Sequence, residues 1–524
     1  MSRIGSQGYA FVMNGSATTH RETERKYETG DAGAPVDPGA ILGLENGAHP
    51  DEQALEAVYF DTPNLDLLRA GVTLRRRQGG HDEGWHLKLP AGGDSRDEVA
   101  LPLTRARRTP PAELVALTRL HSRGGRLAPV AQLNTRRRRW VLADSAGREL
   151  VELVEDEVEA RTMGAHTSTV SWHEIEVELG EHGPLKLLDR IERKLLKAGA
   201  RRSGSSSKLR RVLGDRLPST DGGATSNGAR PGSAGRAVLD YLEAQAEQLR
   251  THDPLVRQDA PDAVHQMRVA ARRMRSALQA YRRILDRDAT APLVEELRWL
   301  GRELNDARDS EIIEERLHAV LDTLPEELVL GPVGAQVTRV LQRRRAEGQR
   351  AAIAALDSDR YLALHDAIDR LLAEPPLTRR AVRPAGGELP EAVAEAWQRT
   401  TTRMGAAQRA TGAERDLALH ETRKAAKRLR YAVEVAAPST GKPAERLQGQ
   451  LKELHTVLGE VQDGVVTRPV VRELATQAQA EGGSGFTYGL LHCRESMRTD
   501  QAERDLPDAW KRLRKSKNIR WFEL

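Results

Sequence analysis

The spacing of apolar residues changes once along this chain, and the change falls across a segment with no period at all. From 214 to 236 the sequence GDRLPSTDGGATSNGARPGSAGR fills with Gly, Ser, Thr and Pro, the composition of a flexible tether. Upstream, short stretches alternate: AVYFD (57–61), GVTLRRRQ (71–78), GWHLKLP (84–90), RRRRWVLAD (136–144), LVELVEDEV (150–158) and VSWHEIEVELG (170–180). Such alternation predicts strands, and connections too short for crossover helices favour an antiparallel sheet or closed barrel. Only 184–198 reads clearly as a helix in this half. Downstream, 238–372 and 391–480 repeat apolar residues every three or four positions, the helical pattern. A second break, PPLTRRAVRPAGGELP (375–390), divides them, and 485–524 reads as helix through 514. The expected layout is a tail at 1–19, a β domain at 20–213, a linker at 214–235 and a helical domain at 236–524.

A chain of 524 residues fits more than one core. Its 81 Lys and Arg against 76 Asp and Glu leave a net charge of only +5, so any charge-based function must come from local sorting. No apolar run approaches the roughly 20 residues that a bilayer-spanning helix needs, and the first residues lack the basic and apolar regions of a secretory signal. Cys493 is the only cysteine, which excludes an internal disulfide framework and any multi-cysteine metal site. The expected location is the cytoplasm.

Within the β half the charges are sorted strand by strand. RETERKYE, if extended, places Glu22, Glu24 and Lys26 on one face. The same spacing recurs at Arg75 and Arg77, at His86 and Lys88, at Arg137 and Arg139, and at Glu174, Glu176 and Glu178. The opposite faces are apolar, through Trp85, Leu87 and Leu89 and through Ile175, Val177 and Leu179. An ordinary antiparallel sheet turns charged faces to water, but solvated faces mix signs, whereas here acid dominates the first and last strands and base those between. If the sheet closes with its charged side inward, a band of carboxylates confronts a band of Arg and Lys, which is costly unless something fills the space. A polyanion with Mg2+ or Mn2+ meets both demands: the metal takes carboxylate and phosphate oxygens together, and arginine forks clamp the remaining phosphate oxygens.

These residues also carry a family resemblance. ETERK, YFDTP, TLRRR, HLKLP, VEDEV, EIEVEL and SSSKLRR around Lys208, in that order, resemble the CYTH domain of the triphosphate tunnel metalloenzymes over about 20–213. The resemblance implies an eight-stranded antiparallel tunnel, with activity as an inorganic, thiamine or RNA triphosphatase or as an adenylate cyclase. It implies a catalytic set of Glu22, Glu24, Lys26, Glu174, Glu176 and Glu178, with Asp156 joining the glutamates as a metal ligand. Lys26, Arg75, Arg77, Lys88, Arg137 and Lys208 would hold phosphate, with Arg139 beside Arg137 as a further member. The implied reaction is metal-assisted phosphoryl transfer to water, in which positioning and charge neutralisation carry most of the rate.

The helical half repeats itself. VHQMRVAARRMRSALQAY from 264 aligns with LHETRKAAKRLRYAVEVA from 419, pairing His265 with His420, Arg268 with Arg423, Arg272 with Lys427, Arg273 with Arg428 and Arg275 with Arg430. LNDARD (304–309) answers LGEVQD (458–463) after one residue of slippage. Repetition at so long a period indicates a duplicated helical hairpin or bundle, not a short-repeat solenoid. His265, Arg268, Arg272 and Arg275 form one basic stripe, and His420, Arg423, Lys427 and Arg430 form its copy. Charged stripes are ordinarily solvated, and the repulsion within them costs only about 0.2–0.5 kcal/mol per pair. Two copies meeting across an internal two-fold would make a stronger anion surface. The repeats resemble the CHAD domain, which implies paired helical bundles that bind inorganic polyphosphate. The implied contact set adds Arg273, Lys424 and Arg428 to the two stripes, although Arg273 and Arg428 lie off them, where salt bridges are an equal expectation.

The leading expectation is a metal-dependent hydrolase of inorganic triphosphate or short polyphosphate, with a helical domain that binds polyphosphate and an association with polyphosphate granules. The alternatives are a polyphosphate-binding or granule-targeting protein without turnover, and an adenylate cyclase of the tunnel family. Aromatic residues at 4% offer no stacking platform for nucleic acid. A membrane partner is not expected, and oligomeric state stays open.

Overall fold

Eight strands close on themselves in the first unit. They are β1 (Thr18–Glu28), β2 (Asp51–Asp61), β3 (Thr73–Gln78), β4 (Gly84–Pro90), β5 (Ser95–Leu101), β6 (Ala128–Ala143), β7 (Glu149–Thr162) and β8 (Thr169–Leu179). Their order is β5-β4-β3-β2-β6-β7-β8-β1, every pairing is antiparallel, and β1 also pairs with β5. A two-residue strand, β9 (Arg201–Arg202), adds to β1 outside the ring. The computed structural model describes residues 18–28, 37–43, 49–103, 108–164, 167–217 and 229–523, with backbone alone at 306–309 and 516. The chain divides into two units, Met1–Asp221 and Gly222–Leu524.

Short helices explain why the charged side of the sheet faces inward. They are α1 (Pro38–Leu42), α2 (Asp66–Arg69), α3 (Ala112–Ser122), α4 (Leu185–Lys197) and α5 (Lys208–Leu213). Leu187, Leu188, Ile191 and Leu195 of α4 and Ile41 and Leu42 of α1 pack on Tyr27, Val151, Leu153, Ile175 and Val177 of the sheet. Leu114 and Leu117 of α3 pack on Leu74, Trp85, Leu87 and Val99, and Leu209 and Leu213 of α5 on Leu133, Val158, Ala160 and Trp172. Each fully buried Leu, Val or Ile contributes about 1.5–3 kcal/mol, so the contacts of α1, α3 and α4 fix the outer face of the sheet. By contrast α5, which carries Lys208 into the lumen, packs on the inner face, since Leu133, Val158 and Trp172 share a face with Arg137, Asp156 and Glu174. Because side chains alternate, Glu22, Glu24, Lys26, Glu174 and Glu176 are left to the interior. The YFDTP turn is set by buried Asp61, whose carboxylate accepts the backbone N–H groups of Thr62, Leu67 and Leu68 at 2.7–2.9 Å.

The second unit is helical: α6 (Ala234–Arg257), α7 (Ala263–Ala280), α8 (Arg287–Glu303), α9 (Asn305–Leu321), α10 (Val333–Leu356), α11 (Asp359–Ala373), α12 (Ala385–Arg409), α13 (Gly412–Thr440), α14 (Lys442–Ala480), α15 (Phe486–Leu513) and α16 (Ser516–Ile519). Among the described residues no helix is long and apolar enough to cross a membrane.

Four expectations need adjusting. SRDEVAL is a strand, β5, whose three consecutive charges hid its alternation. PPAELVALTRLHS contains α3, a helix that the short-strand reading of this half passed over. The expected break at 375–390 ends early, since α12 starts at Ala385 and carries Pro390 inside the helix in its second turn. Of the expected tether, 218–228 lies outside the described residues, while Gly214–Arg216 forms a 3-10 turn and α6 begins at Ala234. Most of the expected N-terminal tail, 1–17, also lies outside the described residues.

Candidate active site, a charged tunnel

The sheet encloses a cavity of about 630 Å3, lined by Glu22, Glu24, Lys26, Arg75, Arg77, Lys88, Arg137, Arg139, Glu176, Glu178 and Lys208. Glu174 and Asp156 lie just behind this lining, held by Lys208, whose Nζ is 2.6 Å from Glu174, 2.8 Å from Glu176 and 2.9 Å from Asp156. Arg137 forks onto Asp156 at 2.7–2.8 Å and reaches Glu176 at 3.1 Å. Lys26 bridges Glu24, at 3.0 Å, and Glu176, and Lys88 bonds Glu22. Arg139 bonds Glu152 at 2.8 Å. The two rows expected to confront each other are therefore interleaved: lysines sit between acids of neighbouring strands, and only Arg75 and Arg77, on β3, stand apart from the glutamates.

Register explains where the balance fails. Glu178 is opposite Glu24 of β1 on one side and Glu152 of β7 on the other, and like charges directly opposite destabilise a ladder. Glu178 makes no ion pair or side-chain hydrogen bond with another described residue. Burial first, then Glu22 and Glu24, push its carboxyl up to about 8. Burial alone would raise Glu24 too, but Lys26 and Lys88 outweigh it and hold that carboxyl at about 2. Glu176 is likewise held well down against burial by Lys208, Lys26 and Arg137. On the basic side, among the described residues, Arg75 hydrogen-bonds only the Tyr59 hydroxyl, at 3.5 Å, and its buried Nε has no partner. Arg77 bonds Asp82, yet burial and then Arg75 weaken its hold on its proton. The tunnel thus has a surplus of acid around Glu178 and a surplus of base around Arg75.

The surplus of acid has a measurable signature. The folded chain keeps the Glu178 proton up to about pH 8, whereas an ordinary glutamate releases it near 4.5. Between those values the folded state binds the extra proton, so stability from this group falls as pH rises through the window and is level above it. Glu178→Gln should flatten that fall, melting higher than the parent at pH 9 and close to it at pH 5. Thermal melts across that range check the expectation, and parallel curves for the two chains refute it.

In the helical unit the stripes of α7 and α13 converge. Arg272 Nε donates to the Tyr431 hydroxyl at 2.9 Å, and Arg268 donates to the backbone and side-chain oxygens of Asn305. Burial, and then Arg423, Arg272, Arg430 and Arg268, push the Lys427 ammonium down to about 7. His455 of α14, which the repeat alignment missed because it lies on neither stripe, is pushed to about 3 by burial and then Arg430 and Lys427. His420 contacts Gln462 at 2.5 Å and Arg423 stands 3.8 Å from Asp463. Arg273 instead pairs with Glu434 at 3.0 Å, Lys424 with Glu421 at 2.9 Å, and Arg430 with Glu434 at 3.2 Å. Arg275 and Arg428 neighbour each other, with Arg298 close to both. His265, at the head of its stripe, is half-buried.

In the tunnel, sequence reasoning missed Tyr59, Glu98 and Glu152. Glu98 meets Lys88, and Glu152 meets Glu178, only through strand register, which a single sequence does not display. Tyr59 was legible only as an alternate residue of YFDTP's strand, two before Asp61.

Comparison with known proteins agrees with this architecture. The chain matches the CYTH domain over residues 20–213 and the CHAD domain over 240–472. Uncharacterized protein MT2285 of Mycobacterium tuberculosis is 38% identical over 516 residues, covering 95% of this chain and 97% of its own. Among solved structures, PptA from Streptomyces chartreusis superposes with a TM-score of 0.46 at 22% identity, over 53% of this chain and 99% of PptA. The CHAD domain of the plant Ricinus communis gives a TM-score of 0.44 at 24% identity, over 54% of this chain and 93% of its own. A closed antiparallel tunnel with a charged lumen, followed by a duplicated helical unit, defines a two-domain protein of the triphosphate tunnel class. The chain belongs to the CYTH–CHAD family, with the mycobacterial protein as a full-length relative.

Proposed function

We propose that the tunnel hydrolyses inorganic triphosphate or another short phosphate chain with a divalent cation, and that the helical unit binds inorganic polyphosphate. The carrying observation is the split surplus of charge in a closed cavity: Glu178 is squeezed among acids while Arg75 and Arg77 lack full partners. A metal–polyanion complex offsets both at once. The donor set of Glu22, Glu24 and Glu178 fits Mg2+ or Mn2+, since all are carboxylates and Glu178 is buried beside the other two without an ion-pair partner among the described residues. Asp156, Glu174 and Glu176 fit less well as direct ligands, because the Lys208 ammonium already stands among them. When bound, the cation would neutralise phosphate oxygens and lower the charge that an attacking water meets.

The chain's own residues account for the rest. Arg75, Arg77, Lys88 and Arg137 would grip the non-bridging phosphate oxygens by charge-assisted hydrogen bonds, and Lys26 and Lys208 would stabilise charge on the leaving phosphate. Asp156 and Glu174 position Lys208. These side chains are largely buried in the lumen wall, so each contact acts at a lower dielectric than in bulk water.

The test is phosphate release from tripolyphosphate, long polyphosphate, thiamine triphosphate and ATP, each with Mg2+ and with Mn2+. Cyclic AMP from ATP, or binding of tripolyphosphate without release, would replace the hydrolase reading. In the helical unit, replacing Arg268, Arg272, Arg423 and Lys427 together should weaken polyphosphate binding by at least about tenfold and flatten its salt dependence, while tripolyphosphate hydrolysis stays near the parent rate. Equal loss of both activities would argue against separate modules. The proposed setting is the cytoplasm, at polyphosphate deposits.

A further inference from the structure

We propose that Asp82, at the mouth of the tunnel, sets the longest phosphate chain the lumen accepts, because its carboxylate closes the outer side of Arg77, where a further phosphate group would have to pass. The inference rests on the reading of the lumen as a phosphate-chain site and adds a length limit to it. Along the β3–β4 ladder Lys88 lies opposite Thr73, His86 opposite Arg75 and Gly84 opposite Arg77, on successive inward rungs about 6.6 Å apart. Lys88 bonds Glu22 of the acidic set. A phosphate chain held at that end passes Arg75, then Arg77, and next meets the turn between β3 and β4, whose Asp82 lines the lumen and bonds Arg77. Asp82 takes Nη1 of that guanidinium, while the buried Nε has no partner among the described residues. Arg77 is thus open toward the lumen and capped toward solvent.

The turn that carries Asp82 is braced from two sides, which makes it a fixed stop and not a swinging lid. Gly79 and Gly80 have φ of 81° and 79°, and a Cβ at Gly79 would stand 2.3 Å from the backbone oxygen of Ala54, so the turn lies tight against β2. His81 Nε2 meets Asp51, at the start of β2, at 2.9 Å. From the other side His86 Nε2 donates to the Asp82 carbonyl at 2.8 Å, and His86 Nδ1 lies 2.6 Å from Glu98 of β5. Against burial, Arg77 and then Arg75 hold the Asp82 carboxyl below its usual range, so it stays ionised at neutral pH. Arg77 is 7% exposed and Asp82 51%, which puts the pair at the boundary between lumen and solvent. A chain that ends at the open side of Arg77 leaves the pair intact. A longer one must bring phosphate oxygens past a carboxylate that cannot swing away, and like charges brought together in this way reject a ligand.

The test titrates the full chain, stripped with chelator, with linear tripolyphosphate and with linear tetraphosphate by calorimetry. The parent should prefer the shorter chain. Asp82→Asn should raise tetraphosphate affinity about tenfold and tripolyphosphate affinity by less than about threefold, while Asp82→Glu, which keeps the charge, should keep the parent preference. Glu83→Gln removes a charge from the same lining without touching Arg77, and should leave the preference unchanged. Melting temperatures check the folding of each variant. The helical unit is identical in all of them, so their differences report the tunnel. Equal gains for both chains in Asp82→Asn, the same gain in Glu83→Gln, or a parent that binds both chains alike would overturn the limit. Because binding is the readout, a tunnel that holds tripolyphosphate without releasing phosphate would remove the hydrolase reading and leave the limit in place.

Discussion

Glu24→Ala is expected to cut metal-dependent phosphate release from tripolyphosphate by about a hundredfold or more, with the melting temperature little changed. The rate effect follows from removing a carboxylate that is ionised at every working pH, held at about 2 by Lys26 and Lys88 against the opposing effect of burial. Loss of one preorganised charged group from a water-excluded site typically costs about 10²–10³ in rate. The stability effect is small because the lost Glu24–Lys26 pair is offset: Lys26 keeps Glu176 as a partner, and Glu178 loses a like charge directly opposite. Steady-state rates at saturating Mg2+ and Mn2+ are the measurement. A rate within threefold of the parent would remove Glu24 from the reaction.

Asp156→Ala should have the opposite profile, a large loss of stability before any question of rate. Asp156 is 0% exposed, forks with Arg137 and receives Lys208. Its removal leaves two largely buried cations, Arg137 and Lys208, each short of one partner, and breaking such a buried pair costs about 3–5 kcal/mol. For a unit of this size that corresponds to a fall in melting temperature of roughly 10 °C. Asp156→Asn should lose nearly as much, since the volume is kept and the charge is not. Glu157→Ala, one residue along on the exposed face and paired only with Arg136 at 3.5 Å, should change little. Equal melting temperatures for the Asp156 and Glu157 variants would contradict the buried network.

The two predictions show which level of structure the sequence reports. Alternation alone assigns Glu22, Glu24 and Lys26 to one face and Arg25 and Tyr27 to the other, because the period of a strand is a local property. Arg25 does lie outside, on Asp94 and Glu192, and Tyr27 is buried beneath α4. Whether a charged face turns to water or to a lumen follows from sign sorting, since α1, α3 and α4 cover the apolar side. Register is different in kind. That Lys26 falls opposite Glu176, or Glu178 between Glu24 and Glu152, depends on strand pairing across up to about 150 positions of chain, and no local pattern encodes it. The expectation of two confronting bands came from treating strands as uniformly charged faces, and the interleaving replaced it. In the helical unit the repeat exposed both stripes, yet Arg273 and Arg430 are partly neutralised by Glu434, a residue carried by only one of the two copies, so duplication did not forecast it. Glu98 was hidden for a simpler reason: β5 reads SRDEVAL, and its inward glutamate sits beside an outward aspartate, which blurs any alternation.

Every strand of the ring has two neighbours, and β1 is the one that closes it. β1 lies against β5 along 18–23 and against β8 along 24–28, so the earliest-synthesised of the eight strands is also the one that seals the seam between the two ends of the meander. On the ribosome its first half can meet β5 after roughly 75 further residues, but its second half must wait, unpaired, until roughly 150 have emerged. Closure therefore depends on contacts of very long sequence separation, the kind that slow folding most. The glutamates and lysine of ETERK would keep this waiting segment soluble, so the charges that furnish the lumen also guard the chain before the lumen exists.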